Sequence, residues 1–355
     1  MSLKKKEDFF KMKKIVTTIA ALAMAVSMFA ADVSAKVHVE GSLLNVNGDN
    51  ITALTIGHKA QPWNPDFALS ANGDKAGASV SFVSEGADAL SNTTFGITAQ
   101  NYSIWFKPFD VLKVTLGHYS TNMNQETIDW CHTETGIETQ GYAFDIDSNG
   151  FFATLFFAPG WSGSWFKKIG DATTVADLYF KAGYSADFGR IQAMFRMPAQ
   201  DNILAGLGYN NTFGSVNMFT NILFGNNSKA DEGYFIRAEA FASTGIDAFG
   251  ISSFIGFGYA GKGATKTGLS GWRIAQPVND KASLGASLKL TYALDGVTPY
   301  LYFKCGDFMA DTLGIQIKPG ATGSVGTMGW EVACDINVNG DSFTLDVPVI
   351  LTVNF

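Results

Sequence analysis

The sequence of 355 residues predicts an all-β protein: a transmembrane, antiparallel, up-and-down β-barrel of roughly 16–18 strands that follows a cleaved signal peptide. Three observations predict this fold class. The composition is apolar and poor in charge, and the N-terminus has the layout of an export signal. The rest of the chain alternates apolar and polar residues with a period of two.

The composition excludes several classes of protein. Hydrophobic residues make up 46% of the chain and charged residues 16%, with 38 Gly and 29 Phe. A disordered chain would be rich in charge and poor in aromatic residues. A helical membrane protein would show several apolar runs of about 20 residues, whereas this chain has one such run, at its N-terminus. A large soluble β-protein and a transmembrane barrel remain.

The N-terminus has the three parts of a secretory signal peptide. Six lysines lie within residues 4–14, an uncharged apolar stretch follows over 15–31, and small residues end it. We expect cleavage after Ala35, with Ala31 as the second choice. A single membrane anchor is the alternative, but the apolar run is short and ends without a basic stop.

The predicted domains are a signal peptide over residues 1–35 and a barrel over 36–355. Met12 begins a more ordinary signal sequence, so a mis-assigned start over residues 1–11 is an alternative. Residues 1–35 carry six Lys and three acidic residues. Cleavage therefore leaves 19 basic and 29 acidic residues, and the net charge becomes −10 instead of −7. This balance argues against a nucleic-acid partner, which requires basic patches.

From Lys36 onward, apolar and polar residues alternate in segments of about 9–13 residues. The segments 284–292, 328–338 and 343–355 show the pattern most clearly. Asn-Gly and Asp-Gly pairs between segments supply the positive φ angles that short hairpins require. The chain therefore reads as a single meander of antiparallel hairpins.

The predicted connections alternate in length. Long connections at one end and short turns at the other are typical of bacterial outer-membrane barrels. Short turns are expected after residues near 72, 106, 147, 186, 210, 243 and 293, and longer connections near 85–93, 120–138, 159–175, 225–232 and 261–281.

A membrane barrel explains the alternation better than a soluble fold does. A soluble barrel of this circumference would enclose a cavity too large for apolar side chains to fill. If the apolar face instead meets lipid and the polar face meets a wet lumen, closure leaves no unpaired edge.

The C-terminus carries an expected assembly signal. It resembles the C-terminal targeting strand of outer-membrane proteins, which implies outer-membrane lipid and the barrel-assembly machinery as partners. The residues that carry it alternate along the last strand: Val347, Val349, Leu351, Val353 and Phe355.

A hairpin over residues 102–117 points to a family. The stretch Trp105-Phe106-Lys107-Pro108-Phe109-Asp110-Val111-Leu112-Lys113 resembles a hairpin of treponemal (spirochaete) outer-membrane β-barrel proteins, and residues 36–41 resemble the same group. The resemblance implies a porin-like barrel and supplies no site residues. From the residues alone, Pro108 starts a tight turn, and Trp105 and Phe106 are expected in an interfacial aromatic girdle.

The alternation also predicts which charged residues line the lumen. Rings of one sign set ion preference in pores, and no such ring is evident. The inward positions hold eight basic residues, Lys113, Lys181, Arg190, Arg196, Arg237, Lys289, Lys304 and Lys318, and seven acidic ones, Asp145, Asp147, Asp177, Glu239, Glu331, Asp335 and Asp346.

Two segments leave alternatives open. The stretch 151–157 is apolar on both faces. Either a loop packs on its inner side, or the lumen has an apolar surface there that contacts a hydrophobic or sugar-like solute. The loop 120–139 is either a solvated acidic loop, a constriction folded inward, or a metal site. Adjacent Cys131 and His132 have poor chelate spacing, so we expect no metal.

We therefore expect a porin-like channel in the outer membrane for passive diffusion of small hydrophilic solutes and ions, with a homotrimer as a candidate assembly. No G-x-S-x-G elbow is present and His residues number only four, so neither an enzyme nor a cofactor is expected. Surplus acid in the loops should favour cations weakly. The alternatives are a surface adhesin that acts through its loops and a transporter of hydrophobic substrates.

Overall fold

The computed structural model describes residues 32–56, 67–85, 96–124, 128, 135–158, 178–199, 202–227, 230–263, 274–275 and 280–355. Regular secondary structure within these ranges is β-strand. Among the described segments, none forms a helix long and apolar enough to cross a membrane.

The strands follow one another in a single antiparallel sheet. In chain order they are β1 (Asp32–Asn47), β2 (Asn50–Ile56), β3 (Phe67–Asn72), β4 (Ala76–Glu85), β5 (Gly96–Phe109), β6 (Leu112–Thr121), β7 (Ile137–Ser148), β8 (Phe151–Phe157), β9 (Leu178–Ala186), β10 (Gly189–Ala199), β11 (Asn202–Phe213), β12 (Val216–Asn227), β13 (Tyr234–Ile246), β14 (Phe249–Ala260), β15 (Lys281–Tyr292), β16 (Val297–Cys305), β17 (Gly314–Val325), β18 (Met328–Ala333), β19 (Asp335–Asn339) and β20 (Ser342–Asn354).

These 20 strands occupy 18 positions in the barrel wall, because two positions each hold a pair of strands. β2 and β3 both pair with β1, along different halves of it. β18 and β19 both lie between β17 and β20. Between β18 and β19, the Cys334 N–H donates to the Pro319 carbonyl at 2.8 Å, and Pro319 has no N–H to return the bond. The predicted all-β barrel of 16–18 strands is confirmed.

The first and last strands close the barrel. β1 pairs with β20 from Lys36 opposite Asn354 to Asn47 opposite Thr344, with one bulge. Ala35 and Phe355 also exchange two backbone hydrogen bonds, at 3.1 and 2.8 Å. β1 begins at Asp32, four residues before the predicted start of the barrel at residue 36.

The two ends of the barrel differ as predicted. At the short-turn end, hairpins have two to four residues between strands, as at 149–150, where Asn149 and Gly150 have φ angles of 50° and 83°. At the long-loop end, wider gaps separate β4 from β5, β6 from β7, β8 from β9 and β14 from β15. Short connections also occur at that end, at 48–49, 200–201 and 340–341.

Several strands run farther than the sequence predicted. The turns expected after residues 106, 210 and 243 follow Phe109, Phe213 and Ile246 instead. Each of these three strands ends on an exposed apolar side chain.

The motif hairpin between β5 and β6 connects two neighbouring turns. The Lys107 N–H donates to the Lys75 carbonyl at 2.8 Å, and Lys75 donates in turn to the Asp110 carboxylate. This hydrogen bond from Lys75 lowers the pKa of Asp110. The motif thus joins the β5–β6 turn to the β3–β4 turn at the short-turn end.

The girdle prediction is wrong for Trp105. Phe106 lies on the outer face and is exposed. Trp105 faces inward, where its Nε1 donates to Asn72 Oδ1 at 3.3 Å and Lys113 Nζ lies 4.9 Å from its ring centroid. Since successive residues of a strand point to opposite faces, only one of the two could meet lipid.

Apolar side chains are exposed on the outside of the barrel while polar side chains are buried within it. On the outer face, Leu207 is 63% exposed and Ile222 60%, whereas the inward Asn221 is 1% exposed and Arg237 0%. A soluble protein shows the reverse distribution. The outer face therefore suits hydrocarbon.

Ile222→Arg, at mid-height on the outer face, is expected to destabilise the folded barrel in lipid by about 2–4 kcal/mol, because it places a charge in hydrocarbon. Ile246→Arg, at the short-turn end of β13, should cost about 0–1 kcal/mol. Urea titration in lipid vesicles measures both. Equal stabilities for the two variants would contradict a lipid-facing outer surface.

Candidate pore and its inward segments

The fourteen charged residues predicted for the lumen and described by the structure share the inner face of the barrel. Cross-strand registers connect them: Lys113 pairs with Asp145, and Asp335 pairs with Asp346. The others follow through the intervening strands. The fourteen are Lys113, Asp145, Asp147, Lys181, Arg190, Arg196, Arg237, Glu239, Lys289, Lys304, Lys318, Glu331, Asp335 and Asp346.

The chain between β6 and β7 turns into the barrel; its described residues 122–124, 128 and 135–136 are termed the first inward segment. Met123 is buried in a cluster with strand residues such as Phe156, Met194 and Leu223. This contact answers the question left open by residues 151–157. Phe152 and Phe156 face inward, and Phe156 is fully covered, so it offers no surface to a hydrophobic solute.

Amide side chains hold the first inward segment against β10 and β12. Asn124 Nδ2 donates to Asn221 Oδ1 at 2.9 Å, and Gln192 Nε2 donates to Asn124 Oδ1 at 2.5 Å. Asn221 Nδ2 also donates to the Asn124 carbonyl, at 3.2 Å. All three side chains are buried, so these bonds satisfy groups that would otherwise lose water without compensation.

Two glycines of β11 leave the space that this segment occupies. A Cβ at Gly206 would lie 2.8 Å from Met123 Cε, and a Cβ at Gly208 would lie 2.8 Å from Asn124 Nδ2. Both distances are shorter than van der Waals contact. A larger residue at either position would push the segment away from the wall.

A second inward segment, Ile274–Ala275, comes from the chain between β14 and β15. Arg237 Nη1 donates to the Ile274 carbonyl at 2.6 Å and to the Ala275 carbonyl at 3.2 Å. The Ala275 N–H donates to the Gly306 carbonyl at 2.7 Å. Both residues are buried against inward aromatic rings and Ile128 of the first segment, in a cluster that also holds Phe219, Phe241, Phe254, Tyr300, Tyr302 and Ala333.

A buried ion pair joins the two inward segments. Arg237 Nε donates to Glu239 Oε2 at 3.1 Å, and both side chains are fully buried. The other oxygen of Glu239 accepts from Asn221 Nδ2 at 2.7 Å. A continuous chain of polar contacts therefore runs from Asn124 through Asn221, Glu239 and Arg237 to Ile274.

Two more cations bind the first inward segment. Lys181 Nζ donates to Thr121 Oγ1 at 2.6 Å and to the Asn122 carbonyl at 2.8 Å. Arg196 Nη1 donates to the Gly136 carbonyl at 3.0 Å. Lys181, Arg237 and Glu239 thus face inward as the alternation indicated, but they lie beneath the inward segments and do not border open lumen.

The charged side chains predicted for the lumen on β15 to β20 are half-buried. Lys318 Nζ lies 3.2 Å from Glu331 Oε1, which also accepts from the Tyr300 hydroxyl at 2.5 Å. Lys289 Nζ lies 4.6 Å from the Tyr300 ring centroid. Lys318 on β17 and Lys289 on β15 therefore both act on the Glu331 carboxylate of β18.

Carboxylates on these strands accept hydrogen bonds from neutral neighbours. Gln316 Nε2 donates to both oxygens of Asp335 at 2.7 and 2.8 Å, and Ser42 Oγ donates to Asp346 at 2.5 Å. Asp335 and Asp346 are direct cross-strand partners. Two adjacent carboxylates without a paired cation in the contacts described make this part of the wall negative.

The remaining charged residues lie toward the short-turn end. Asp145 accepts from the Tyr119 hydroxyl at 2.5 Å and from Thr154 Oγ1 at 2.7 Å. The Arg190 guanidinium stacks 3.7 Å from the Phe152 ring centroid and interacts electrostatically with Asp147.

Some sequence predictions concern residues outside the described part of the chain, among them Asp177, Cys131 and His132. Conversely, the sequence reasoning missed the amides Asn124, Gln192 and Asn221. The available signal was weak: Gln192 and Asn221 were polar positions in alternating strands, with nothing to relate them to a loop.

The fold is that of solved outer-membrane porins. The outer membrane protein OpdK from Pseudomonas aeruginosa matches with a TM-score of 0.58 at 10% identity, over 91% of this chain and 98% of that one. OprD from the same organism matches with a TM-score of 0.57 at 11% identity, over 92% and 95%. A BenF-like porin from Pseudomonas fluorescens Pf-5 gives 0.58 at 9%, over 91% and 98%. No protein-family model matches the sequence, and no curated protein matches it.

Arg237→Met is expected to destabilise the barrel by about 3–5 kcal/mol, because it leaves Glu239 buried without its cation. Lys304→Met, at a half-buried position on β16, should stay within about 1 kcal/mol of the unsubstituted protein. Urea titration in vesicles compares them. A loss for Arg237→Met no larger than that for Lys304→Met would contradict the structural role of the ion pair.

Proposed function

We propose that the protein is a porin-like outer-membrane channel for the passive diffusion of small hydrophilic solutes and ions. The observation that carries this proposal is the inverted barrel: exposed apolar residues cover its outside, and polar and charged residues line its inside. Porins of 16–18 strands leave an aqueous channel. The fold shared with solved outer-membrane porins supports the same proposal.

Transport by this route involves no chemical step. The inward segments belong to buried clusters that run along the inner wall from β7 to β16 and reach Ala333 on β18. The solute path that we propose therefore follows the half-buried charged side chains on the inner face of β15 to β20. There the solute exchanges bonds to water for bonds to the polar side chains of the wall. Width at the inward segments and the charge of this part of the wall then decide which solutes pass.

The charges of this part of the wall favour weak selectivity. Lys318 lies 3.2 Å from Glu331, and Lys289 also interacts electrostatically with that carboxylate, which offsets the field of these two cations. The adjacent pair Asp335 and Asp346 adds negative charge. With acidic residues also present at the long-loop end, we expect a slight preference for cations that decreases as salt increases.

Export and assembly belong to the same proposal. β1 pairs with β3 from Asp32 opposite Asn72 to Val37 opposite Phe67. This ladder supports cleavage after Ala31, since cleavage after Ala35 would remove residues that pair with β3. The alternating apolar residues that end at Phe355 would be recognised by the barrel-assembly machinery. A homotrimer stays a prediction.

The motif hairpin at residues 102–117 supports a place in the treponemal group of outer-membrane barrels. Its Lys107 and Asp110 bond to Lys75 of the neighbouring turn, which gives these two residues of the motif a role in joining turns. The hydrophobic-substrate alternative loses support, because Phe156 is buried by the first inward segment.

Purified protein is expected to give stepwise ionic conductance in a planar bilayer, with a slight preference for potassium over chloride, because polar and charged side chains line the lumen. Current recordings in a salt gradient measure both properties. A folded barrel, verified by its heat-modifiable gel mobility, that shows no conductance would overturn the channel proposal. Strong anion selectivity would contradict the account of the wall charges.

Asn221→Leu is expected to raise single-channel conductance, because it removes the bonds that hold the first inward segment to the wall. Current steps from single channels measure the change. Asn45→Leu, on β1 and away from both segments, is the matched control and should leave conductance unchanged. If Asn221→Leu conducts like the control, the first inward segment does not limit the pore.

A further inference from the structure

A cavity of about 300 Å³ opens on the inner wall at the short-turn end, between β10 and β13. Side chains of Arg190, Asn210, Thr212, Asn217, Phe219 and Phe241 line it. Its volume is at the lower end of the range for small-molecule sites in proteins. None of these residues contributes to the hydrogen bonds that hold the inward segments.

The polar lining offers both donors and acceptors. Thr212 Oγ1 donates to Asn217 Oδ1 at 2.7 Å, which leaves the amide hydrogens of Asn217 as donors toward a ligand. Asn210 Oδ1 is buried, and no described residue donates to it. Arg190 Nε is likewise buried, and no described residue accepts from it. A ligand with hydroxyl groups satisfies acceptors and donors at once.

The apolar part of the cavity is aromatic. The Phe219 and Phe241 rings are stacked, with centroids 5.3 Å apart and planes inclined by 24°. Both side chains are largely covered, at 5% and 7% exposed, so a small apolar patch lies beside the polar groups. Such a mixed lining suits a small solute that carries both C–H and hydroxyl groups.

The charge of the site favours a neutral ligand. Arg190 supplies the cavity's cation, and the carboxylate of Asp147 interacts with it electrostatically. An anion would therefore meet a cation whose charge is already offset.

The position of the cavity fits a solute path. Asn210 lies two residues beyond Gly208, which lies beside Asn124 of the first inward segment, so the cavity opens into the lumen on the short-turn side of that segment. From these observations we infer that the cavity is a binding site for a neutral polyhydroxylated solute of monosaccharide size. This inference deepens the proposed channel function and rests on it.

The test uses D-glucose as the probe and sodium acetate as its anionic counterpart. With full-length protein in a planar bilayer, glucose should reduce the ion current saturably, and acetate should not. The double variant Asn210→Leu/Asn217→Leu should raise the half-saturating glucose concentration by at least about tenfold, since two hydrogen bonds are lost. Asn45→Leu should keep the response of the unsubstituted protein.

Two results overturn the inference while the channel proposal stands: conductance that glucose does not reduce saturably, and a saturable response that acetate shares. A double variant that conducts and responds like the Asn45→Leu control also overturns it. If the protein does not conduct, calorimetric titration of the folded barrel in detergent with glucose decides the matter separately. Binding that the double variant loses supports the site, and absence of binding overturns it.

Discussion

The structure depends on closure of the backbone hydrogen-bond ladder. In hydrocarbon an unpaired N–H or C=O costs several kcal/mol, so a sheet can cross a membrane only without free edges. Here β1 and β20 provide the closing ladder, and the exchange between Ala35 and Phe355 extends it by one pair. Once the wall is closed, the strand period of two assigns every residue to lipid or to the interior. The apolar composition and low charge follow from that division, because about half of each strand must tolerate hydrocarbon.

Closure of 18 positions creates an interior wider than side chains alone can fill, and the described inward segments occupy part of it. Their anchoring uses charged groups that would otherwise line open water. Lys181, Arg196 and Arg237 donate to backbone or side-chain oxygens of these segments or of the strand end beside them. The buried pair of Arg237 and Glu239 is stable only because further partners bond to both groups, including Asn221 and the Ile274 carbonyl. We propose that transport uses the part of the interior that the described inward segments do not occupy.

Local pattern was sufficient to predict what depends on local chemistry. The alternation at residues 343–355 and the Asn149-Gly150 turn correspond directly to β20 and a two-residue hairpin. Strand number was harder, because Pro319 interrupts the ladder opposite Cys334 without ending the strand position. The inward segments that bury Lys181, Arg237 and Glu239 could not be predicted from the sequence. They depend on contacts such as that between Asn124 and Asn221, which are 97 residues apart and leave no periodic signal. Trp105 shows a related limit. Two adjacent aromatic residues suggested a girdle, but successive residues of a strand point to opposite faces, so only one of the two rings can lie on the outer face.

The central claim is that water fills the inside of the wall and lipid covers its outside. It is tested most directly by the reactivity of single cysteines toward a charged, membrane-impermeant thiol reagent, in protein that lacks Cys131, Cys305 and Cys334 and is folded in lipid vesicles. Asp335→Cys, inward on β19, should react rapidly, whereas Ile317→Cys, outward on the adjacent β17, should react only after the lipid is dissolved. Rapid reaction of Ile317→Cys in intact vesicles, with Asp335→Cys protected, would contradict the account.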